Sequence, residues 1–398
     1  MARKTGFLCY NNYGYLKTLW SSDVMENNES LKNAKNKKDD EFYTEYADIE
    51  REMNAYLEFN PETFKDKVVL LPCDDPEWSN FTRYFAQNFE LLGLKKLIST
   101  SYANEKKSAV FVQLSLFEQE SPKYDKRKTN SHGKIFTLDR DINKSGRIDI
   151  NDIEWDYLKG DGDFRSDEVK KLRDEADIIV TNPPFSLFRE FLAWLIESKK
   201  QFIIIGNEND TTTKETFPLV RDGIIWLGKY AGDMAFKVPV DSEPRDTRFW
   251  IDPSGQKWRS MGNICWYTNV DLKRRHTVLD LMTMEENLRY NKPLIKKLEK
   301  DYNMREYPRF ENYNAIEVPR YDAIPKDYSG IMGVPITFLK KHNPRQFRII
   351  GHTHSGDTSV EVEKLRTDAS RRHRGYINGK QIYDRILIEK VEECNGED

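Results

Sequence analysis

Asp177-Ile178-Ile179-Val180-Thr181-Asn182-Pro183-Pro184-Phe185 starts at an acidic residue, crosses three β-branched apolar residues and stops in a polar turn holding two prolines. A short unbroken apolar run bounded by turn residues has the signature of a buried strand. Past the turn, Leu187, Phe188, Phe191, Leu192 and Leu195 form a helical stripe, and Gln201 to Gly206 (QFIIIG) returns to a strand pattern. Strand, helix and strand in this order predict a parallel sheet.

The same alternation occurs upstream. Ile49, Met53 and Leu57 share one helical face, and Val68 to Leu71 is a second buried strand. Asp75 with Pro76 and Glu77 has the pattern of a helix start, since a carboxylate caps orphan amides and proline suits the first turn. Phe81, Tyr84, Phe85, Phe89 and Leu92 make the apolar stripe that follows, with Gly93 as its stop and Lys96 to Thr100 as the next strand,. Residues 103–158 interrupt the alternation with short polar pieces and read as an insertion. Gly223 to Leu227 and Gly262 to Tyr267 are further strand candidates. Residues 1–40, poor in large apolar side chains over 21–40, read as a mobile arm. Charged helices, Pro-containing loops and a terminal hairpin (GYINGKQIYDRILIEK) are expected beyond residue 271.

Composition narrows the options. Of 398 residues, 38% are hydrophobic and 12% aromatic, enough to bury a sizeable core,. No apolar run reaches the length of a membrane span and the N-terminus has no signal-peptide pattern, so a cytoplasmic location is expected. Cys9, Cys73, Cys265 and Cys394 show no CxxC spacing, which argues against a disulfide framework or a cysteine zinc site,. The net charge is −3, so any nucleic-acid affinity must come from local patches. Residues 331–390 supply one, with twelve Lys/Arg against six Asp/Glu. Lys273, Arg274, Arg275, Lys340, Lys341, Arg345, Arg348, Arg371, Arg372 and Arg374 are the candidate phosphate contacts, although any one such run also suits a solvated face.

Open α/β sheets bind ligands at the carboxyl ends of their strands, so the Asn182-Pro183-Pro184-Phe185 turn should line a site. Prolines lack an amide donor and stiffen the turn, leaving its carbonyls as acceptors. The Asn182 side-chain carbonyl and the Pro183 backbone carbonyl can each take one N–H of an aromatic amine, favouring a pyramidal nitrogen with an available lone pair. Phe185 can stack on the ring. An ordinary stiff loop with a buried Phe is the plainer alternative.

Asn-Pro-Pro-Phe in this setting resembles motif IV of the amino-methylating DNA methyltransferases. DEFYTEYADIE (40–50), CDDPEWSNF (73–81), LGLKKLISTSY (92–102), GDGDFRS (160–166), GNICWYTN (262–269) and YDAIPKDYSGIMGVPITFL (321–339) resemble the EcoRI-like family of adenine-specific DNA methyltransferases. The resemblance implies a Rossmann-like class I methyltransferase domain over 41–270, with a mostly parallel sheet, and a target-DNA recognition region over 271–398. It implies methyl transfer from S-adenosylmethionine to the 6-amino group of adenine in double-stranded DNA, with base flipping, and a separately encoded restriction endonuclease as a possible partner. Catalysis would fall to Asn182, Pro183, Pro184 and Phe185. The donor would lie near Tyr43 and Thr44, near Cys73, Asp74 and Asp75, near Tyr102, and near Asp163 and Phe164, whose acid-aromatic pair matches the one that meets its adenine. Asp163 also suits a simple turn in a Gly-rich run. No GxGxG loop follows the first strand, and Ser99-Thr100-Ser101-Tyr102 ends the second without an acid for the ribose. Same-fold rivals are an enzyme acting on cytosine, RNA or a protein glutamine, or a catalytically idle DNA-binding relative.

Two weaker patterns remain. Asp141, Asn143, Ser145, Asp149 and Asp152 fit a calcium loop with Asp in place of the closing Glu, a composition any turn shares. Gly351-His352-Thr353-His354 has metal-ligand spacing, but two imidazoles make a poor site and a polar loop is expected.

Overall fold

The computed structural model describes residues 43–74, 79–103, 123–125, 127–129, 131–238, 242–353, 359–368 and 374–391. The N-terminal arm, Asp75, Arg371, Arg372 and His354 lie outside them. In chain order the elements are β1 (Tyr43–Thr44), α1 (Tyr46–Leu57), β2 (Val68–Leu71), α2 (Asn80–Gln87), β3 (Lys96–Thr100), β4 (Lys134–Leu138), β5 (Glu154–Tyr157), α3 (Asp167–Glu175), β6 (Ile178–Thr181), α4 (Phe188–Ser198), β7 (Gln201–Asn207) and α5 (Phe217–Arg221). They continue with β8 (Trp226–Lys237), β9 (Phe249–Ile251), β10 (Lys257–Thr268), α6 (Met284–Tyr290), α7 (Lys292–Tyr302), β11 (Ile316–Glu317), β12 (Met332–Val334), β13 (Phe347–His352), α8 (Val360–Leu365), β14 (Tyr376–Ile377), β15 (Lys380–Gln381) and β16 (Ile386–Lys390).

Among the described residues, β1 to β10 form one sheet in the order β1-β8-β10-β7-β6-β2-β3-β4-β5, with β9 on the outer part of β10. Side chains alternate across it, feeding two cores. Val69, Leu71, Ile178, Val180, Ile203, Ile205, Ile264 and Trp266 pack with α1 and α2 on one face. Val68, Leu70, Ile179, Phe202, Ile204, Cys265 and Tyr267 pack with α4 and the C-terminal region on the other. The expected α/β class and the four central parallel strands β3, β2, β6 and β7 are present. The sheet as a whole is mixed rather than mostly parallel. β4 and β5, inside the expected insertion, extend it antiparallel from β3, and β10, β8 and β1 do so beyond β7.

Other expectations shift in detail. The cap of α2 is Ser79, whose side chain accepts from the Phe81 amide, rather than Asp75. The helix stops at Gln87, and Gly93 (φ +62) closes the next turn, where Leu94 N–H donates to Phe89 O at 3.1 Å. The strand expected from Gly223 begins at Trp226 and runs to Lys237. The terminal hairpin is only β14–β15, turning at Asn378-Gly379, both at positive φ. β16 instead joins a second sheet, β11-β12-β16-β13. His352 ends β13 in the core, edge-on to Phe217 at 4.1 Å, so it belongs to a strand and not to a polar loop. No helix among the described residues is long and apolar enough to cross a membrane.

Candidate active site

Three strand ends meet at Asp74. Its amide donates to Thr100 O at 3.1 Å, joining the ends of β2 and β3. Its buried carboxylate accepts the Ser79 hydroxyl through Oδ1 at 2.7 Å and the Thr181 hydroxyl through Oδ2 at 2.6 Å. The hydroxyl of Ser99 donates to its backbone oxygen. A carboxylate removed from water needs such donors, and they tie the end of β2 to the residue preceding Asn182. Burial pushes the neighbouring Cys73 thiol up, the Asp74 carboxylate adds to this and a hydrogen bond with Thr181 opposes it, while Asp163 contributes further. Cys73, Asp74, Thr181 and Asp163 therefore share one neighbourhood.

The Gly-rich loop is held against the end of β3 by backbone contact. A Cβ on Gly162, where φ is +85, would stand 2.2 Å from Ser101 O, and one on Gly133 would stand 2.5 Å from the same oxygen. Only glycine permits such an approach. Ala103 N–H donates to Asp161 O at 2.7 Å, locking the loop beside Tyr102, which is exposed. Asp163 accepts from the Arg165 amide at 2.9 Å and from its Nε at 2.8 Å, and Arg165 also reaches Glu190 at 3.2 Å. Asp163 is thus both a turn residue and a carboxylate oriented by Arg165 beside the end of β3. Phe164 is committed to the core, edge-on to Phe191 and Trp194, rather than presenting an open face.

Pro183 is buried, and Pro184 leads into a single 3-10 turn, Phe185–Leu187, before α4. Phe185 is half-buried and meets Phe236 edge-on at 6.3 Å. Phe236 pairs with Thr44 across β1 and β8, and Asn80 Nδ2 donates to Thr44 O at 2.8 Å. The Tyr43-Thr44 segment is thereby brought beside the double-proline turn from 138 residues upstream of Asn182. Thr181, Ser79, Asn80 and Phe236 were not singled out by sequence. Thr181 sits within the motif as the last residue of an apolar strand, the one available signal; the other three are ordinary polar or apolar residues in their own elements.

A second group follows β7, of which only Lys340 was singled out by sequence. Glu208 pairs with Lys340 at 2.8 Å, and Arg189 of α4 approaches Glu215 at 3.5 Å. Burial raises the Asp210 carboxyl to about 6, against the pull of Arg189 and with Glu215 adding to the rise. Lys340 thus links the C-terminal region to the sheet. Of the other basic candidates, Arg274 turns inward and bonds Leu227 O, and Arg275 lies over the Trp226 ring at 3.7 Å. Arg348 pairs with Glu389 at 2.6 Å and Arg374 with Asp384 at 3.0 Å. Lys273, Lys341 and Arg345 are exposed.

In the 141–152 loop, Asp141 accepts from the Ser145 and Gly146 amides, and both Asp152 oxygens accept backbone amides, from Ile142, Asn143 and Asp149. The closing carboxylate serves as a cap for the turn Ile150–Asp152. Among the described residues no cluster of three or more His, Cys, Asp or Glu is disposed to hold a metal.

Comparison with known proteins matches residues 30–391 to the family described as adenine-specific methyltransferase EcoRI. The chain is 41% identical over 363 residues to the type II methyltransferase M.EcoRI of Escherichia coli, spanning 91% of this chain and 96% of that protein. It is 32% identical over 365 residues to M.MpnI of Mycoplasma pneumoniae, covering 90% and 97%. M.MgeORF184P of Mycoplasma genitalium is 30% identical over 365 residues, with the same coverage. No solved structure matches the chain.

Proposed function

Given that this chain belongs to the EcoRI family of adenine-specific methyltransferases and methylates adenine in DNA, we propose that the reaction occurs where Asp74, Asp163 and Asn182 come together at the strand ends. One observation carries this reading: the Asp74–Thr181 hydrogen bond joins the end of β2 to the start of the Asn182-Pro183-Pro184-Phe185 turn. It holds the two halves of the site at a fixed separation, and oriented reactants are the main requirement for a transfer that needs no strong base.

The methyl donor is S-adenosylmethionine, and the residues present fit it. Asp163, oriented by Arg165, stands at the carboxyl ends of the central parallel strands, where an acid suits the amino group of an adenine, and Asp74, its oxygens taken by Ser79 and Thr181, adds negative charge that suits a sulfonium,. The backbone contact at Gly162 keeps the Asp163 loop in place. Tyr102 is the exposed side chain beside it. When bound, the donor supplies an electrophilic methyl group.

On the substrate side, the Asn182 side-chain carbonyl and the Pro183 carbonyl each accept one N–H of the adenine 6-amino group. This favours the pyramidal nitrogen that develops as the bond forms, so it stabilises the transition state more than the ground state. Phe185, braced by Phe236, stacks on the ring. The target amine is paired inside the duplex, so the base must be extruded, costing a few kcal/mol. Lys273, Lys341 and Arg345 offer phosphate contacts that offset this, and the region 271–398 reads the target sequence. We further assign the enzyme to the cytoplasm, with a restriction endonuclease of the same specificity as its counterpart.

The test is Asn182→Ala, assayed by methyl transfer to DNA and by calorimetric titration with S-adenosylmethionine. Turnover should be lost and donor binding largely kept; near-normal turnover would remove the assigned role.

A further inference from the structure

β10 does not stop where its partner stops. Its residues Ile264 to Thr268 pair with β7, Ile264 lying opposite Asn207, the last residue of β7. The preceding residues, from Lys257 on, continue past the carboxyl edge of the sheet. There they pair with β8 on one side and β9 on the other. β9 therefore lies in line with β7, beyond its end. The next place in the strand order belongs to β6, which ends at Thr181 and turns into Asn182. At about 3.3 Å per residue, the ribbon overhangs the candidate site by several residues' length.

One row of side chains crosses this overhang. Lys237, Trp258 and Trp250 are directly opposed on β8, β10 and β9. The two indoles are parallel to within 3°, with centroids 6.0 Å apart, and Lys237 Nζ lies 5.2 Å from the centre of the Trp258 ring. Trp258 is pinned by its Nε1, which donates to Asp252 at 2.8 Å. Trp250 ends the row, 41% exposed, and among the described residues no strand pairs with the other edge of β9. Ile251 beside it is 56% exposed. The overhang carries Lys237, Lys257 and Arg259 against Asp233, with Lys237 also paired to Glu45 of the preceding segment at 3.1 Å and Asp233 to Arg248 at 3.0 Å, a balance that remains positive and suits a phosphate backbone.

We propose that Trp250 is a stacking platform for a nucleobase of the DNA substrate at the mouth of the target pocket. A rigid aromatic stack that stops at an exposed indole is complementary to one more planar ring, and every base has a π-face. The net positive charge of the overhang draws in the strand that carries the base. The element lies outside region 271–398 and adds a contact from the catalytic domain itself. The inference rests on DNA methylation at the Asn182 turn.

The experiment uses the full chain and a duplex carrying the sequence found methylated in an expressing host. Binding is read by fluorescence anisotropy for the wild type, Trp250→Ala and Trp250→Phe, alongside donor titration and urea unfolding. Trp250→Ala should bind the duplex about tenfold more weakly, Trp250→Phe should remain near the wild type, and donor affinity should be unchanged. Binding by Trp250→Ala within twofold of the wild type would overturn the proposal, as would a loss matched by lower stability and weaker donor binding. A second measurement does not depend on the alanine variant. The wild-type minus Trp250→Phe emission difference isolates this indole, and it should change when DNA is added; an unchanged difference overturns the platform. Absence of methylation by the wild type removes the functional reading and the platform with it, whereas a methylating wild type with an indifferent Trp250 removes the platform alone.

Discussion

Thr181 donates its hydroxyl to Oδ2 of Asp74 at 2.6 Å, joining residues 107 apart in the chain. Both groups are buried, Thr181 completely. A hydrogen bond to a charged acceptor contributes about 1.5–3 kcal/mol, and removing the donor leaves the carboxylate underpaired. Thr181→Val keeps the shape and deletes the hydroxyl. It should lower stability by roughly that amount in urea unfolding. It should also slow single-turnover methyl transfer, because Asn182 is the next residue. Thr181→Ser, which restores a hydroxyl, should recover most of the rate. A Val variant with unaltered rate would show that the bond serves folding alone.

Gly162 offers a test of the donor side. Its φ of +85 disfavours any side chain, and a Cβ there would meet Ser101 O at 2.2 Å. The oxygen belongs to the backbone and cannot rotate away. Gly162→Ala should therefore push the Asp163 loop off the end of β3, costing about 1–3 kcal/mol and weakening donor binding measured by calorimetry. Gly160, with nothing within 4 Å of its added Cβ, is the control: Gly160→Ala should bind donor as the wild type does.

The central strands and the double-proline turn were legible because buried parallel strands are written as continuous apolar runs: VVLL, IIV and FIII stand out from polar surroundings. The overhanging ribbon was not legible. The middle of β8, from Lys229 to Asp233, is exposed or half-buried and includes Gly232 at φ +137, so it breaks any continuous run between Leu227 and the buried Met234 and Phe236 of the overhang. β4 and β5 escaped because KIFTL and EWDY are short alternating pieces, β5 lying at the edge of the sheet. Within the site, the NPPF turn and the Asp163 loop could be found by pattern. The Asp74–Thr181 bond and the Thr44–Phe236–Phe185 contact join distant segments, and only the folded sheet brings them together.

The basic residues divide into two groups with different consequences. Arg274 is held inside, where burial lowers its pKa from the ordinary value and the Glu52 carboxylate opposes that shift. Lys341 and Arg345 lie on the surface. Each phosphate contact contributes about 0.9 to the slope of log affinity against log salt. Lys341→Ala and Arg345→Ala should each weaken DNA binding and reduce that slope by about one. Arg274→Ala should instead lower the unfolding midpoint and leave the slope unchanged. A reduced slope for Arg274→Ala would mean that this side chain leaves its buried position to meet DNA.

Glu52 gives a pH-dependent test of how the ribbon is rooted. Its carboxylate lies under β8, accepting the Lys229 amide at 2.7 Å, the Tyr230 amide at 2.8 Å and the Tyr56 hydroxyl at 3.0 Å. A Cβ on Gly228 would strike it at 2.2 Å, so glycine makes room for the acid. Burial raises its pKa from 4.5 to about 7, against the three hydrogen bonds and the Arg274 charge. A carboxyl whose folded pKa is raised binds its proton more tightly in the native state than in the unfolded chain. Its contribution therefore favours folding most below pH 4.5 and declines as pH climbs towards 7, by up to about 3 kcal/mol. Glu52→Gln cannot titrate, so the wild-type minus variant difference in unfolding free energy should fall across that window and level off above it. Asp210, which titrates in the same range, is present in both proteins and cancels from the difference. A difference that stays flat from pH 4.5 to 7.5 would mean that the hydrogen bonds from Lys229, Tyr230 and Tyr56 outweigh burial and keep the carboxylate ionised throughout.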